Sequence, residues 1–407
     1  MGRRKRHISQ MFILGLVMLC TVIFFSSCAQ GNTPQEHKKN RKTEEHKEKK
    51  EKRKAAFYNS KYIFVTNEEG ELEQRTRKGK LICKLGFGKV CCVDEDWLYY
   101  VQQEKEEITL WKMSVRKKMD LEDKEKLCSV DGKIASRICV EDPYIIFAVT
   151  NKEDTLFQYD MKKESVIPCK IKYPYAVENE GTKICAVELG NGCSYISVYY
   201  QGVFKQDLKK GETEAKCIYE GLYSCQNLCE YNGQLYFDHG NYTEPPLDAF
   251  SLKSFSEENG LLYEVSAGDI EAVLKKDFLS EGKKKISSLK YYSVFGDFWM
   301  DDGKIYVMAD EVTYKEKGKK KYFLPVFSYD PLVGENSLTY ERELTEFLED
   351  EKGSGIVDVI GGSALVKRKK SVYEFNLSTK KKKRLQKTDI NYWYVFGNNN
   401  SNRMGMG

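Results

Sequence analysis

The stretch DWLYYV, residues 96–101, is apolar on both sides of the strand that it predicts. Successive residues of a strand point to opposite faces of a sheet, so Trp97 and Tyr99 would cover one face and Leu98 and Tyr100 the other. Strands that lose the alternation of apolar and polar residues are buried on both faces. The stretch therefore predicts a sheet that is packed between two neighbouring layers.

The same kind of strand recurs along the chain, each time followed by a second strand such as ITLWKM at residues 108–113. Repeats of about 50 residues with several strands each are typical of β-propellers, whose blades pack between one another. We predict an all-β fold, a β-propeller of seven blades, with six blades as the alternative if the repeat at Lys183 or Ala364 is an insertion. The predicted equivalents of Leu98 are Ile63, Ile145, Ile184, Leu235, Ile305 and Ala364.

The first repeat lacks an innermost strand, and the last apolar strand, INYWYVF at residues 390–396, lacks a partner. We predict that this C-terminal strand joins the first repeat and closes the ring. The predicted organisation is a signal peptide at residues 1–27, a lipidated cysteine and charged flexible tether at 28–57, the β-propeller at 58–396 and a disordered tail at 397–407.

The N-terminal segment, MGRRKRHISQMFILGLVMLCTVIFFSSC, has the order of a secretion signal. Cations precede a largely apolar run from Met11 to Phe25, which has the length of a signal-peptide core and is short for a membrane span. The ending FSSC resembles a bacterial lipobox, in which a diacylglyceryl group is attached to the cysteine thiol, here that of Cys28. This resemblance implies a lipid anchor on the outer face of the cytoplasmic membrane. An uncleaved anchor, or an ordinary signal peptide with an incidental cysteine, is the alternative.

The net charge of +5 is unevenly distributed along the chain. Residues 29–57 hold twice as many cations as acids, whereas residues 58–407 hold slightly more acids than cations. A domain that binds nucleic acid would carry the cationic charge itself, so we predict no nucleic-acid partner. The tether is interpreted as a spacer kept soluble by its charge, with contact to anionic lipid or wall polymer as the alternative.

Two of the strand pairs, DWLYYV with ITLWKM and GKIYVM with PVFSYD, carry a resemblance to known proteins. They resemble the strand pairs of propeller lipoproteins of unknown function that are common in Gram-positive bacteria. They are also similar to those of TolB-like and prolyl-oligopeptidase-type propellers. The resemblance covers residues 58–396 and implies a propeller in an extracytoplasmic setting, and it implies no catalytic residue.

The chain has 13 cysteines but no CxxC motif, and their positions follow the repeat: we predict Cys83, Cys128, Cys169 and Cys217 in the last strand of a blade. Cysteines placed once per blade are separated by packed sheets about 10 Å apart, beyond the reach of a disulfide. Adjacent Cys91 and Cys92 would point to opposite faces of a strand. We predict mostly free, buried thiols, no metal site and no cofactor, with a stray disulfide as the alternative among Cys185, Cys193, Cys225 and Cys229.

The sequence offers little catalytic chemistry. His239 is the only histidine of the predicted propeller, and no GxSxG motif supplies a nucleophile. Carboxylates that precede second strands either form an acidic ring on one face or serve tight turns, which Asp favours. We predict a non-catalytic binding or scaffolding module, with a carboxylate-dependent, carbohydrate-active hydrolase or an envelope-complex or sensor component as alternatives. These carboxylates are Asp94, Glu95, Asp96, Glu141, Asp142, Glu178, Glu180, Asp301 and Asp302.

The longest connections fall around the fifth and sixth repeats, at residues 238–248, 268–285 and 309–323. The second predicts a short helix, GDIEAVLKKDFL, and the third a basic hairpin. Long loops on a rigid scaffold often carry function, although they can equally be tolerated insertions. We predict that an unknown protein or glycan binds on this face, at a site bordered by Asp238, His239, Tyr242, Glu244, Lys317, Lys319, Lys320 and Lys321.

Overall fold

The computed structural model describes residues 61–387, except for residues 68, 94–95, 152, 174–182, 221–224, 226, 232, 241–249, 280–296, 309–311, 317–318, 350–353 and 369–370. These residues all belong to one of the two compact units of the chain, residues 53–407. The predicted signal peptide, Cys28, the tether, the strand at 390–396 and the tail lie outside the described residues.

The described chain consists mainly of β-strands. The α-helices are α1 (Ala267–Leu279) and α2 (Arg342–Glu349), and two 3₁₀ helices span Leu121–Asp123 and Gly334–Ser337. The strands are β1 (Tyr62–Thr66), β2 (Glu71–Thr76), β3 (Leu81–Phe87), β4 (Lys89–Val93), β5 (Trp97–Glu104), β6 (Glu107–Ser114), β7 (Lys124–Asp131), β8 (Lys133–Ile134), β9 (Cys139–Glu141), β10 (Tyr144–Thr150), β11 (Asp154–Asp160), β12 (Ser165–Ile171), β13 (Ile184–Gly190), β14 (Cys193–Val198), β15 (Gly202–Asp207), β16 (Glu214–Glu220), β17 (Leu228–Tyr231), β18 (Gln234–Gly240), β19 (Phe250–Ser256), β20 (Gly260–Val265), β21 (Asp297–Asp301), β22 (Lys304–Met308), β23 (Val312–Glu316), β24 (Lys319–Phe323), β25 (Val326–Tyr329), β26 (Thr339–Tyr340), β27 (Gly355–Ile360), β28 (Ser363–Arg368), β29 (Ser371–Asn376) and β30 (Lys382–Lys387).

The strands form antiparallel meanders. Four sheets have four strands each, in the orders β4-β5-β6-β7, β17-β18-β19-β20, β21-β22-β25-β26 and β27-β28-β29-β30. A nine-stranded sheet runs β13-β14-β15-β16-β12-β11-β10-β8, with β9 also paired to β10. These five sheets give a β-propeller-like arrangement of five blades, which confirms the predicted fold class. The remaining strands form the three-stranded sheet β1-β2-β3 and the β23-β24 hairpin, and the predicted count of seven blades is not shown.

Residues 97–101 of the stretch DWLYYV lie in β5, and its residues 98–101 are buried on both faces, as predicted. Leu98 and Tyr100 contact a core cluster shared with β1–β3, while Tyr99 and Val101 contact a cluster shared with the nine-stranded sheet. All four residues are at most 3% exposed. Full burial of a large apolar side chain stabilises a fold by about 1.5–3 kcal/mol, so such strands dominate the core.

Apolar clusters join each sheet to the next one along the chain, and the last sheet to the first. Leu365 and Val372 of the β27–β30 sheet share one cluster with Ile63 and Phe64 of β1. The helices take part in the same packing: Ile270 of α1 is buried beside the β21-β22-β25-β26 sheet, and Leu344 of α2 beside the β27–β30 sheet. Side-chain packing therefore joins the sheets into a closed series.

The predicted helix forms because its sequence contains a capping pattern. The backbone N–H of Asp269 donates to Oγ of Ser266 at 3.3 Å, and the backbone N–H of Ser266 donates to Oδ2 of Asp269 at 2.7 Å. This reciprocal pair satisfies donors that the first turn of a helix otherwise leaves unbonded. Ile270 and Leu274 then fall four residues apart on the buried face of α1.

Two sequence-based assignments were wrong. Ile184 lies in β13, which is a terminal strand of its sheet, whereas Leu98 lies in β5, the second strand of its sheet. Both strands are apolar, so the pattern alone could not distinguish them. Cys91 and Cys92 do not separate to opposite faces, because a register shift between Val90 and Cys92 breaks the alternation in β4. Both thiols contact the same cluster.

The other predicted cysteine positions are confirmed. Cys83, Cys128, Cys169 and Cys217 lie in β3, β7, β12 and β16, each of which is the last strand of its meander. None of the described cysteines forms a disulfide. Burial raises the pKa of the Cys128 and Cys169 thiols to about 12, so they behave as small apolar side chains.

Candidate functional site

Tight turns between the first and second strands of several meanders define one face of the domain. Asn191-Gly192, Asp302-Gly303 and Gly361-Gly362 each have two consecutive positive φ angles. This is the conformation of the two-residue type I′ turn, which Asn, Asp and Gly adopt at least cost. We call the face that carries these three turns the inner-hairpin face.

The connection between the third and fourth strands of a meander emerges on the same face. In four meanders the first residue of that connection donates its backbone N–H to a carbonyl near the turn between the first and second strands, which we call the inner turn. The carbonyl belongs to the inner turn itself or to a residue bordering it. These bonds are Val115 to Asp96 at 2.8 Å, Met161 to Pro143 at 2.8 Å, Leu208 to Gly192 at 3.1 Å and Leu377 to Gly362 at 2.9 Å.

Carboxylates on the inner-hairpin face bind the turns of neighbouring meanders. Oε1 of Glu141 accepts a hydrogen bond from the backbone N–H of Gly192 at 3.2 Å. Oε1 of Glu230 accepts one from Nδ2 of Asn191 at 2.7 Å and one from the N–H of Gly233 at 2.7 Å. The turn at residues 191–192 is thus held from both sides by carboxylates of the adjoining hairpins.

Asp301 binds the inner turn at residues 361–362 in the same way. Its Oδ1 accepts from the N–H of Gly361 at 2.9 Å, and its Oδ2 accepts from the N–H of Gly362 at 2.7 Å. Between the two groups, a Cβ added at Gly303 would lie 3.4 Å from Oη of Tyr231, so those hairpins also touch. The inner hairpins from residue 141 to residue 362 therefore form a continuous row of contacts.

The predicted acidic residues thus divide into two groups. Glu141 and Asp301 serve neighbouring turns, while Asp96, Asp142 and Asp302 are exposed on this face. The other predicted members, Asp94, Glu95, Glu178 and Glu180, lie outside the described residues. Sequence reasoning missed Glu230, although it precedes an inner turn just as Glu141 does.

Replacing Asp301 by Ala is expected to lower the free energy of unfolding by about 1–2 kcal/mol, because two backbone N–H groups lose a charged acceptor. Water replaces part of that bonding, since the site is only half-buried. Thermal or urea unfolding measures the change, and Lys304→Ala, at an exposed position of the same hairpin, is the matched control. Equal stability of the two variants would show that Asp301 does not hold the turn.

The predicted binding residues that the structure describes lie in strands that reach the opposite face, which we call the insertion face. The β23-β24 hairpin follows β22, and the connection at residues 241–249 follows β18, both of which are second strands. Helices α1 and α2 follow the last strands β20 and β26 and so begin on the same face. The predicted helix and the predicted basic hairpin are both confirmed as elements.

Asp238 is the only predicted binding residue whose side chain the structure describes. It is 4% exposed, and its Oδ1 accepts from the backbone N–H of Asn227 at 2.7 Å. Burial, with a smaller effect of the Asp238 carboxylate, raises the pKa of the neighbouring Cys225 thiol well above its ordinary range. The carboxylate therefore joins Asn227, just before β17, to β18.

The other predicted residues are placed less completely. His239 lies in β18 opposite Ser251 of β19. Lys319, Lys320 and Lys321 lie in β24, and their backbones pair with Glu316, Lys315 and Tyr314 of β23. Tyr242, Glu244 and Lys317 lie outside the described residues.

No three or more His, Cys, Asp or Glu side chains in the described ranges are arranged to hold a metal ion. None of the helices described is long and apolar enough to cross a membrane.

Comparisons with known proteins give likenesses of fold at low identity. No protein-family model and no curated protein matches the chain. Oligopeptidase B from Leishmania major is 9% identical with a TM-score of 0.45, over 83% of this chain and 49% of that one. The dihydro-heme d1 dehydrogenase NirN is 10% identical with a TM-score of 0.44, over 82% and 75%. AztD from Citrobacter koseri is 9% identical with a TM-score of 0.37, over 79% and 92%. Such likenesses say nothing about activity.

Proposed function

We propose that the chain is a bacterial lipoprotein, anchored through Cys28 on the outer face of the cytoplasmic membrane. Its seven-bladed propeller binds or scaffolds a protein or glycan partner and catalyses no reaction. The order of cations, apolar run and FSSC in the N-terminal segment supports the anchor.

The proposed binding role is supported mainly by the hydrogen bonds that carboxylates of the inner-hairpin face form within the fold. A carboxylate-dependent glycosidase needs two carboxyl groups about 5–10 Å apart and open to the substrate. Glu141, Glu230 and Asp301 instead accept hydrogen bonds from turns of neighbouring hairpins. Carboxylates engaged in this way favour a scaffold over a hydrolase.

The strand order supports seven blades. The nine-stranded sheet contains two meanders, one ending in β12 and the other in β16. These two strands meet through a short parallel pairing of Lys170 with Glu214 and Ile171 with Ala215. We count each meander as a blade. The three-stranded sheet β1–β3, completed by residues 390–396, is the seventh.

The insertion face is the proposed partner-binding face. The β23-β24 hairpin on this face is inserted between β22 and β25. Two cationic residues lie directly opposite each other in it, because Lys315 is paired with Lys320. Like charges placed directly opposite each other destabilise a strand pair in isolation. An anionic surface on the partner would remove this repulsion, so the pairing of two lysines favours an acidic partner.

Deletion of residues 312–321 tests this role, because it removes most of the hairpin and retains Phe323, which is 2% exposed in the core. We expect partner capture to fall at least tenfold, a loss of about 1.4 kcal/mol or more of binding free energy. Cross-linking of the full chain in intact cells, followed by mass spectrometry, measures the capture.

A second variant separates charge from shape in the same experiment. Lys319→Gln, Lys320→Gln and Lys321→Gln together keep the hairpin and remove its cations, so capture should again fall. The melting temperatures of both variants should stay close to that of the wild type. Unchanged capture by the deletion variant would exclude this hairpin and direct attention to the inner-hairpin face.

A further inference from the structure

The inner-hairpin face also carries the turns that lead into the last strand of each sheet. These turns differ in charge from one side of the domain to the other. The β2–β3 turn, residues 77–80, reads RKGK, and the β29–β30 turn, residues 377–381, reads LSTKK and continues into KKR. By contrast, the β19–β20 turn at 257–259 reads EEN, and the β25–β26 turn at 330–338 reads DPLVGENSL. One edge of this face is cationic, and another is acidic.

The two cationic turns belong to neighbouring sheets that contact each other. Nη2 of Arg77 lies 3.9 Å from Oε1 of Glu374 in β29, and Glu374 is paired in register with Lys383. Around this ion pair four lysine side chains are exposed. We call them the cationic edge: Lys78, Lys80, Lys381 and Lys383.

The β2–β3 turn lies on the inner-hairpin face, as its neighbours show. The β1–β2 turn bonds to residue 88, since the N–H of Gly88 donates to the carbonyl of Gly70 at 3.1 Å. Gly88 precedes the N-terminal end of β4. The C-terminal end of β4 leads into the inner turn before Trp97, so Gly88 lies at the opposite face. The β1–β2 turn is therefore on the insertion face, and the β2–β3 turn is on the other.

The chain enters the first sheet beside this cationic edge. Tyr62, the first residue of β1, pairs with Thr76, the last residue of β2. Lys61 therefore lies next to the 77–80 turn.

We propose that the cationic edge docks on an anionic phospholipid surface and sets the orientation of the domain on its membrane. The proposal rests on the lipid anchor proposed above. At about 3.5 Å per residue, a tether of residues 29–57 could reach roughly 100 Å, so the tether alone does not orient the domain. Lysines within a Debye length of an anionic bilayer, about 8 Å at physiological salt, are attracted to it.

The contact is confined to the edge of the face. Asp96, Asp142 and Asp302 are exposed on the inner turns, and an anionic surface repels them. The domain would therefore stand tilted, with the β1–β3 and β27–β30 sheets nearest the lipid. The insertion face then remains accessible to a partner.

Lysine acetylation rates on the full-length, lipidated protein test the orientation. The protein is reconstituted in vesicles of phosphatidylcholine, or of phosphatidylcholine mixed with phosphatidylglycerol, and each lysine is followed by mass spectrometry. We expect the four lysines of the cationic edge to react several-fold more slowly on the anionic vesicles. Exposed Lys105 and Lys133, which lie toward the other face, should react equally on both. At 1 M salt the difference should disappear, because the Debye length falls to about 3 Å.

A charge-reversed variant, Lys78→Glu with Lys381→Glu, should lose the protection of Lys80 and Lys383 while it keeps its melting temperature. Equal rates on the two kinds of vesicle would overturn the proposal, and so would protection by a soluble wall polyanion without protection by anionic vesicles. Failure of the lipid anchor is detected separately, because the mass of the N-terminal peptide then shows no acyl groups on Cys28.

Discussion

A chain truncated after Lys387 is expected to fail to fold, whereas a chain truncated after Phe396 should match the full chain in stability. Within the described residues β1 pairs only with β2, yet Ile63, Phe64 and Val65 of β1 are at most 4% exposed. A strand buried on both faces has unpaired N–H and C=O groups along an open edge, and these are costly in a core. We predict that residues 390–396, INYWYVF, supply a partner for this edge.

The expected effect is large because of the apolar residues that the shorter chain lacks. INYWYVF contains six large apolar or aromatic side chains, each worth about 1.5–3 kcal/mol when fully buried. Their sum, about 9–18 kcal/mol, is comparable with the 5–15 kcal/mol that stabilises a typical domain. Soluble yield and thermal melting followed by circular dichroism measure the outcome.

Two further observations decide the interpretation. A synthetic peptide of residues 388–407, added during refolding of the shorter chain, should restore the cooperative melting transition. If the two truncated chains melt at the same temperature, the ring closes without the C-terminal strand, and the seven-blade count loses its seventh blade.

Replacement of Cys28 by Ala is expected to abolish both lipid attachment and removal of the signal peptide. The diacylglyceryl group requires the thiol, and cleavage in lipoproteins of this kind follows lipid attachment. Two acyl chains, at about 0.8 kcal/mol per buried CH₂, hold a protein stably on a membrane, so the mature wild type should fractionate with membranes. Labelling with a fatty acid and the mass of the N-terminal peptide report the result.

The chain contains a matched control for this experiment. Cys20 lies in the same N-terminal segment, eight residues before Cys28, and Cys20→Ala should leave labelling and cleavage unchanged. Normal labelling of the Cys28→Ala protein would show that the FSSC sequence is incidental. The lipid anchor would then be wrong, while the propeller-like fold would stand.

The sequence by itself predicted those features that depend on local periodicity. Burial of residues 98–101 on both faces follows from the two-residue period of a strand, and α1 contains the sequence GDIEAVLKKDFL, for which a short helix was predicted. The basic β23-β24 hairpin and the cysteines in last strands also follow from patterns that lie within one repeat. Each of these is specified by residues close together in the chain.

The tertiary structure decided what depends on residues far apart in the chain. Sequence alone could not show that Glu230 binds the turn at Asn191, or that Arg77 meets Glu374. Nor could it place Ile184 in a terminal strand, because first and second strands are equally apolar when both lie in a core. The carboxylates for which the sequence left open an acidic ring or a role in tight turns are in part joined to neighbouring turns for the same reason: hairpins from successive meanders approach each other only when the sheets pack side by side.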